Sequence, residues 1–145
     1  MKPELGQLYL PSWRGHPPHM SSLDLPLWDR FQDQYGSQFL GFYFDALVGT
    51  PSEVPPGTDE KMLKMWTRLT AKRIDAVGVK PDQYWLIEFR PNAAAGALGT
   101  IVTYMTAWRK DPPDDLPVQP VIVSDVFDPD IIDNAHVLGI QLIKI

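Results

Sequence analysis

Two short runs in the middle of the chain constrain its fold most. Residues 72–79 (KRIDAVGV) and 84–90 (YWLIEFR) are rich in β-branched and aromatic residues, and a turn with Pro81 and Asp82 separates them. Two such runs this close together predict a β-hairpin. Side chains alternate along a strand, so Glu88 and Arg90 share one face while Trp85, Ile87 and Phe89 point to the other. Asp75 falls in the middle of the first strand, thirteen positions before Glu88. A hairpin can lay those two carboxylates side by side. A charge inside an otherwise apolar strand is costly to bury unless it is paired or holds a metal. Asp75, Glu88 and Arg90 are therefore the residues on which chemistry is expected.

The flanking sequence supplies the rest of an α/β domain, on the border of α+β. Trp28, Phe31, Tyr35 and Phe39 recur at helical spacing and predict a helix over 24–40. Residues 42–48 read as a strand, and 49–57, with Pro51, Pro55 and Pro56, as a loop. Thr58 or Asp59 can cap a helix to about Leu69 with Met62, Met65, Trp66 and Leu69 on one face. After Pro91, small residues (Ala93, Ala94, Ala95, Gly96, Ala97, Gly99) open a long helix to about Lys110 that can pack closely on a sheet. An acidic, proline-rich loop over 111–120 precedes a strand at 121–124. Asp128 and Pro129 begin a helix that Gly139 ends, and 140–145 is a last strand. The expected order is α-β-α-β-β-α-β-α-β, a mixed central sheet of about 4–5 strands flanked by helices. Crossover connections can join its last three strands.

Fifteen prolines, eight of them within the first 60 residues, make the front of the chain stiff and irregular. Residues 1–23 read as a proline-rich arm ahead of a single domain at 24–145. The arm cannot bury its own Tyr9, Leu10 and Trp13, so these are expected to anchor it on a partner surface. The chain has no cysteine, which excludes disulfides and thiolate zinc sites. No apolar run approaches the ~20 residues that span a bilayer, so no membrane partner is expected. The net charge of −5 is uneven: residues 61–110 carry nine basic and three acidic side chains. Within that stretch Lys61, Lys64, Arg68, Lys72 and Arg73 are either a solvated helix face or phosphate contacts.

The segments "RIDAV", "WLIEFRP" and "AAAGALGTIVTYMTAW" resemble the PD-(D/E)xK nuclease superfamily. In that family a strand carries an Asp, the next carries Glu-x-Lys, and a helix follows, often with Gln-x-x-x-Tyr. The resemblance spans roughly residues 59–145, and the first 58 fit only as a leading helix and strand. The segment "RIDAVG…IEFRPNAAAGALG…Y" is also similar to small proteins encoded by tailed bacteriophages on the same template. The resemblance implies a restriction-endonuclease-like fold. It also implies a Mg²⁺ site formed by Asp75, Glu88 and the backbone carbonyl of Phe89, with phosphodiester hydrolysis as the reaction. Arg90 stands where the family has Lys, and a planar guanidinium that keeps its proton is not equivalent to an amine. Thr100 stands where Gln is common, four residues before Tyr104, and is short for the same contact.

These departures, the phage resemblance and the arm point first to a structural role. The expectation is a connector in a tailed-phage virion, at the head–tail junction or neck, built on a degenerate nuclease-like fold without cofactor. Its partners are further copies of itself and portal- or adaptor-type virion proteins, with DNA as a further partner. Its location is the virion, assembled in the host cytoplasm. The alternative is an active Mg²⁺-dependent DNA endonuclease or exonuclease. Other signals are weak. His16 and His19 read as surface or interface residues, and His136 as a helix surface residue. Asp125, Asp128, Asp130 and Asp133 lack the Gly and Glu of a calcium loop. Gly96 and Gly99 lack the full dinucleotide fingerprint.

Overall fold

Strand β1 (Gly41–Val48) pairs antiparallel with β2 (Lys72–Val79), and β2 with β3 (Tyr84–Phe89), across the expected tight turn. From β3 the chain crosses over through α3 (Ala95–Lys110) to β4 (Val118–Ser124), and through α4 (Pro129–Val137) to β5 (Gln141–Lys144). Both crossovers give parallel pairs, as a strand–helix–strand connection requires. The computed structural model describes residues 1–50 and 52–145; Pro51, in the expected loop, lies outside them. Among the described residues the sheet has five strands in the order β1-β2-β3-β4-β5. The expected element order and α/β class are those observed.

Two cores follow from strand alternation. Leu86, Val77 and Ile122 face α3 and α4, which bring Ala97, Ile101, Trp108, Ile131 and Ala135. Ala93 and Ala97, fully buried, let α3 lie close to the sheet. On the other face Trp85, Ile87, Phe89 and Val123 meet α1 (Leu25–Tyr35) through Leu27, Trp28 and Phe31. Gly78 lies on this face under the Phe39 ring; a Cβ there would come within 2.5 Å of Phe39 Cε1.

Two boundaries differ from expectation. Helix α1 stops at Tyr35 and gives way to a 3₁₀ turn at Gly36–Gln38, so Phe39 reaches the core from an extended residue and not from the helix. Strand β4 starts at Val118 and contains Pro120. β5 begins opposite Val121, so no neighbouring strand needs the missing N–H. Lys72 and Arg73 open β2, as expected for residues 72–79, and so cannot share the helix face of α2 (Glu60–Thr70) with Lys61, Lys64 and Arg68.

The arm is irregular, but it is not free. Glu4 exchanges backbone hydrogen bonds with Leu47 at 2.9 and 3.1 Å, and Tyr9 with Phe42 at 2.8 Å in both directions. Both pairs fit one antiparallel register, so the arm covers the open edge of β1. Tyr9 and Trp13 pack on each other and on Phe44 with tilted rings, at centroid separations of 4.4, 5.3 and 6.0 Å. Buried Gln32 of α1 donates to the carbonyls of Pro11 and Trp13. The surface that Tyr9 and Trp13 need is thus supplied by the chain itself, and Leu10 alone of the three points outward, 65% exposed. Among the described residues no helix is long and apolar enough to cross a membrane.

Candidate functional site

The site forms where β2 and β3 part. Their pairing ends at Ala76 and Ile87, one step before Asp75 would meet Glu88. Alternation also breaks here. Ala76 faces the α1 core and Val77 the α3 core, yet Ile74 also faces the α3 core. Strand β1 changes face at the same level, between Phe44 and Ala46, where Asp45 takes a left-handed φ of 55°. Asp75 is thereby turned out of the ladder. Its Oδ2 accepts the Phe89 N–H at 2.9 Å, a donor that the ended ladder leaves free.

Glu88 lies on the α3 face beside Asp75. Its Oε1 accepts from Arg90 Nη2 at 3.2 Å, and the same nitrogen reaches Thr100 Oγ1 at 3.4 Å. Thr100 therefore does touch the site, through Arg90. Glu88 Oε2 is buried and receives no hydrogen bond among the described residues. Its neighbour is the Asp75 carboxyl, within hydrogen-bond reach, so the two can share one proton, and only with both ionised does neither supply a donor. Burial, and then the charge of Asp75, push the Glu88 carboxyl well above the usual range, and Arg90 opposes this only in part. Burial pushes Asp75 up as well, against the Phe89 hydrogen bond. Tyr104, half-buried on α3, is pushed up by burial and by the charges of Glu88 and Asp75, so its phenol stays protonated.

One buried carboxylate oxygen without a donor, next to a second carboxyl, is a donor set that a hard divalent cation fits. Asp75, Glu88 and the Phe89 carbonyl are the groups that would hold it. Among the described residues no third His, Asp or Glu side chain joins them.

The arm crosses above this pair. Pro18, His19 and Met20, with Asp45 and Asp75, enclose a cavity of about 20 Å³, room for about one water. His19 and Asp45 are both non-glycine residues with positive φ and face each other at 3.7 Å. Arg73 pairs with the same Asp45 oxygen. Sequence reasoning missed Asp45, although a charge in the middle of an apolar strand is the signal that singles out Asp75. Asp24, just before α1, adds negative charge felt by both carboxyls; nothing in its sequence context marks it.

The remaining candidates are dispersed. Arg68 pairs with Glu4 at 2.7 Å, and Arg73 also donates to the Arg68 carbonyl. Lys72 lines a separate cavity with Lys110. Among the described residues Lys61 and Lys64 are the cations of α2 without an ion pair, and Lys72 and Arg73 lie on β2, so the five basic residues form no single stripe. His16 bonds the Met20 carbonyl, and His136 lies exposed on α4. Asp128 caps α4 through the Asp130 N–H at 2.9 Å, and Asp125 accepts from the Asn92 N–H at 3.0 Å.

No protein-family profile matches the chain, and no curated protein sequence is similar to it. Two solved structures are. A repair endonuclease from Pyrococcus abyssi superposes with a TM-score of 0.53 at 10% identity, over 90% of this chain and 49% of that one. Protein VC1899 from Vibrio cholerae gives 0.49 at 15% identity, over 82% of this chain and 27% of that one. The chain spans about half the length of the first and about a quarter of the second. The likeness to the endonuclease establishes the fold, a restriction-endonuclease-like open mixed sheet with helices on both faces.

Proposed function

We propose that the chain is a divalent-metal-dependent nuclease domain whose reacting centre is Asp75, Glu88 and Arg90. The buried, donorless Glu88 Oε2 beside Asp75 carries this reading. Ionised together, the two buried carboxylates repel each other and leave Glu88 Oε2 without a donor, which a bound cation would relieve. Mg²⁺ bound there would supply an acidified water and offset charge developing on a phosphate. The chain's own residues do the rest. Asp75 is aimed by the Phe89 N–H. Glu88 is aimed by Arg90, and Arg90 is steadied by Thr100. The guanidinium cannot take up a proton, so its part is to hold a scissile phosphate and neutralise its charge. Tyr104 keeps its proton and can donate a hydrogen bond.

The test is nicking of a supercoiled plasmid with Mg²⁺ or Mn²⁺. Wild type should nick, and Asp75→Ala and Glu88→Gln should be at least 100-fold slower, the order of effect of losing one such group. Equal inertness of wild type and variants refutes the reading.

A second reading is a non-catalytic assembly component on the same fold. The virion connector, with its copies and portal- or adaptor-type neighbours, is its most specific form. The observation that favours it is the exposed apolar face of α2, with Arg90 in place of Lys consistent with it. The arm lends it less, because Tyr9 and Trp13 are engaged within the chain. Inertness in the nicking assay together with defined oligomers would select it.

A further inference from the structure

The arm is held unevenly along its length. Up to Trp13 it is fixed by the backbone pairs of Glu4 and Tyr9 with β1, by the Tyr9 and Trp13 rings on Phe44, and by Gln32 at the carbonyls of Pro11 and Trp13. At Leu25 the chain is fixed again, in α1. Between these ends, among the described residues, 14–20 make no hydrogen bond to the sheet. Their own bonds are local: the Met20 N–H donates to the Pro17 carbonyl at 3.2 Å, and His16 to the Met20 carbonyl at 2.9 Å. What holds them down is the exposed Arg14–Asp33 pair at 3.4 Å, the His19–Asp45 contact at 3.7 Å, and the seats of Pro17, buried, and Met20, half-buried against the α1 core. Exposed ion pairs contribute little, and a segment with few buried contacts and no ladder bonds opens at low cost.

Gly15 marks the junction between the fixed and the loose parts. The chain passes so close over the Trp13 ring there that a Cβ would run into the indole. Further on, His19 meets Asp45, and both have a positive φ, a backbone conformation unfavourable in residues other than glycine. The contact that closes the segment is therefore made between two strained residues.

This loosely held segment lies over the Asp75 carboxyl. The space that Pro18, His19 and Met20 leave above Asp45 and Asp75 is about 20 Å³, which takes about one water. A phosphate group is larger than that, and Mg²⁺ keeps several waters when it binds. Glu88, beside Asp75, is buried.

We propose that residues 14–20 are a strap closed over the Asp75–Glu88 pair, latched by His19 on Asp45, and that the strap lifts about Gly15 to admit a metal ion and a phosphodiester. The entry of a phosphodiester rests on the nuclease reading; the closure of the pair does not. The arm up to Trp13 stays on β1 throughout, so the edge of the sheet remains covered when the strap opens.

The test reads access to Asp75 without metal or catalysis: the rate at which a water-soluble carbodiimide with glycine ethyl ester labels Asp75 in the full chain, followed by mass spectrometry. Labelling tracks the population of the open form when opening is fast. The chain has no cysteine, so His19→Cys with Asp45→Cys places two unique thiols where the two side chains meet, and a short bifunctional methanethiosulfonate can join them reversibly. The linked protein should label at Asp75 about tenfold more slowly than the same protein after reduction. His19→Ala, which removes the latch, and Gly15→Ala, which pushes the strap off the Trp13 ring, should each label faster than wild type with the circular dichroism unchanged. Nicking should stop on linking and return on reduction. Equal labelling of the linked and reduced protein, or a His19→Ala variant that labels no faster than wild type, overturns the strap whatever the nicking assay shows. Gated labelling in a chain that never nicks upholds the strap and removes the nuclease reading.

Discussion

Replacing Glu88 by Gln removes one negative charge from the paired carboxyls while keeping the shape of the side chain. Glu88 is 5% exposed, and its carboxyl is pushed from 4.5 up to about 8 by burial and by Asp75. The folded chain therefore holds this proton at pH values where the unfolded chain has lost it. Between about pH 4.5 and about pH 8 the folded state binds more protons, so stability falls as pH rises through that window. At ~1.4 kcal/mol per pH unit the whole displacement is on the order of 4–5 kcal/mol. Gln would return part of that by giving up the charge-assisted bond to Arg90. The net expectation is that Glu88→Gln is about 2 kcal/mol more stable than wild type at pH 8.5 and equal to it or slightly weaker at pH 5. For a chain of this size, that is a Tm difference of about 4–8 °C. Paired thermal and urea melts at the two pH values, in EDTA, read it, and the difference between proteins cancels the titration of the three histidines. A variant–wild-type difference that does not change with pH would falsify the claim that Glu88 is buried beside an uncompensated carboxyl.

Three other perturbations have defined outcomes. Gly78→Ala sets a Cβ within 2.5 Å of the Phe39 ring and should cost about 1–3 kcal/mol in urea unfolding; an unchanged midpoint would mean that Phe39 does not sit there. Gln32→Ala removes both side-chain donors to the arm and should cost about 1–3 kcal/mol, with faster hydrogen exchange at the Tyr9 and Phe42 amides; exchange that stays slow would show the arm is held otherwise. Arg90→Ala leaves Glu88 without its cation and should destabilise more at pH 8 than at pH 5, as read by thermal melts; the opposite order contradicts the ion pair.

The strand and helix sequence was legible because its signals are local and periodic. Alternation in YWLIEFR placed Glu88 and Arg90 on one face, and the two faces are indeed lined by Leu86 and by Trp85, Ile87 and Phe89. The arm's course was not legible. It follows neither helical nor strand period, and its two backbone pairs with β1 depend on a register that no residue of the arm announces. Pro120 reads as a loop residue until β5 is seen to begin at Val121. The basic run looks like one stripe because sequence distance hides the partners: Glu4 for Arg68, and Asp45 for Arg73. The pairing of Asp75 with Glu88 was open to reasoning from the hairpin. That both strands change face there, so that Asp75 bonds the Phe89 amide, is a tertiary fact.

Titration of Mn²⁺ into the metal-free chain tests the central claim most directly, by calorimetry or by loss of the free-ion paramagnetic resonance signal. The account predicts one saturable site per chain, tighter as the pH rises and the carboxyls ionise, and lost in Asp75→Asn and in Glu88→Gln. Binding that survives both substitutions, or no saturable binding at pH 8.5, contradicts it.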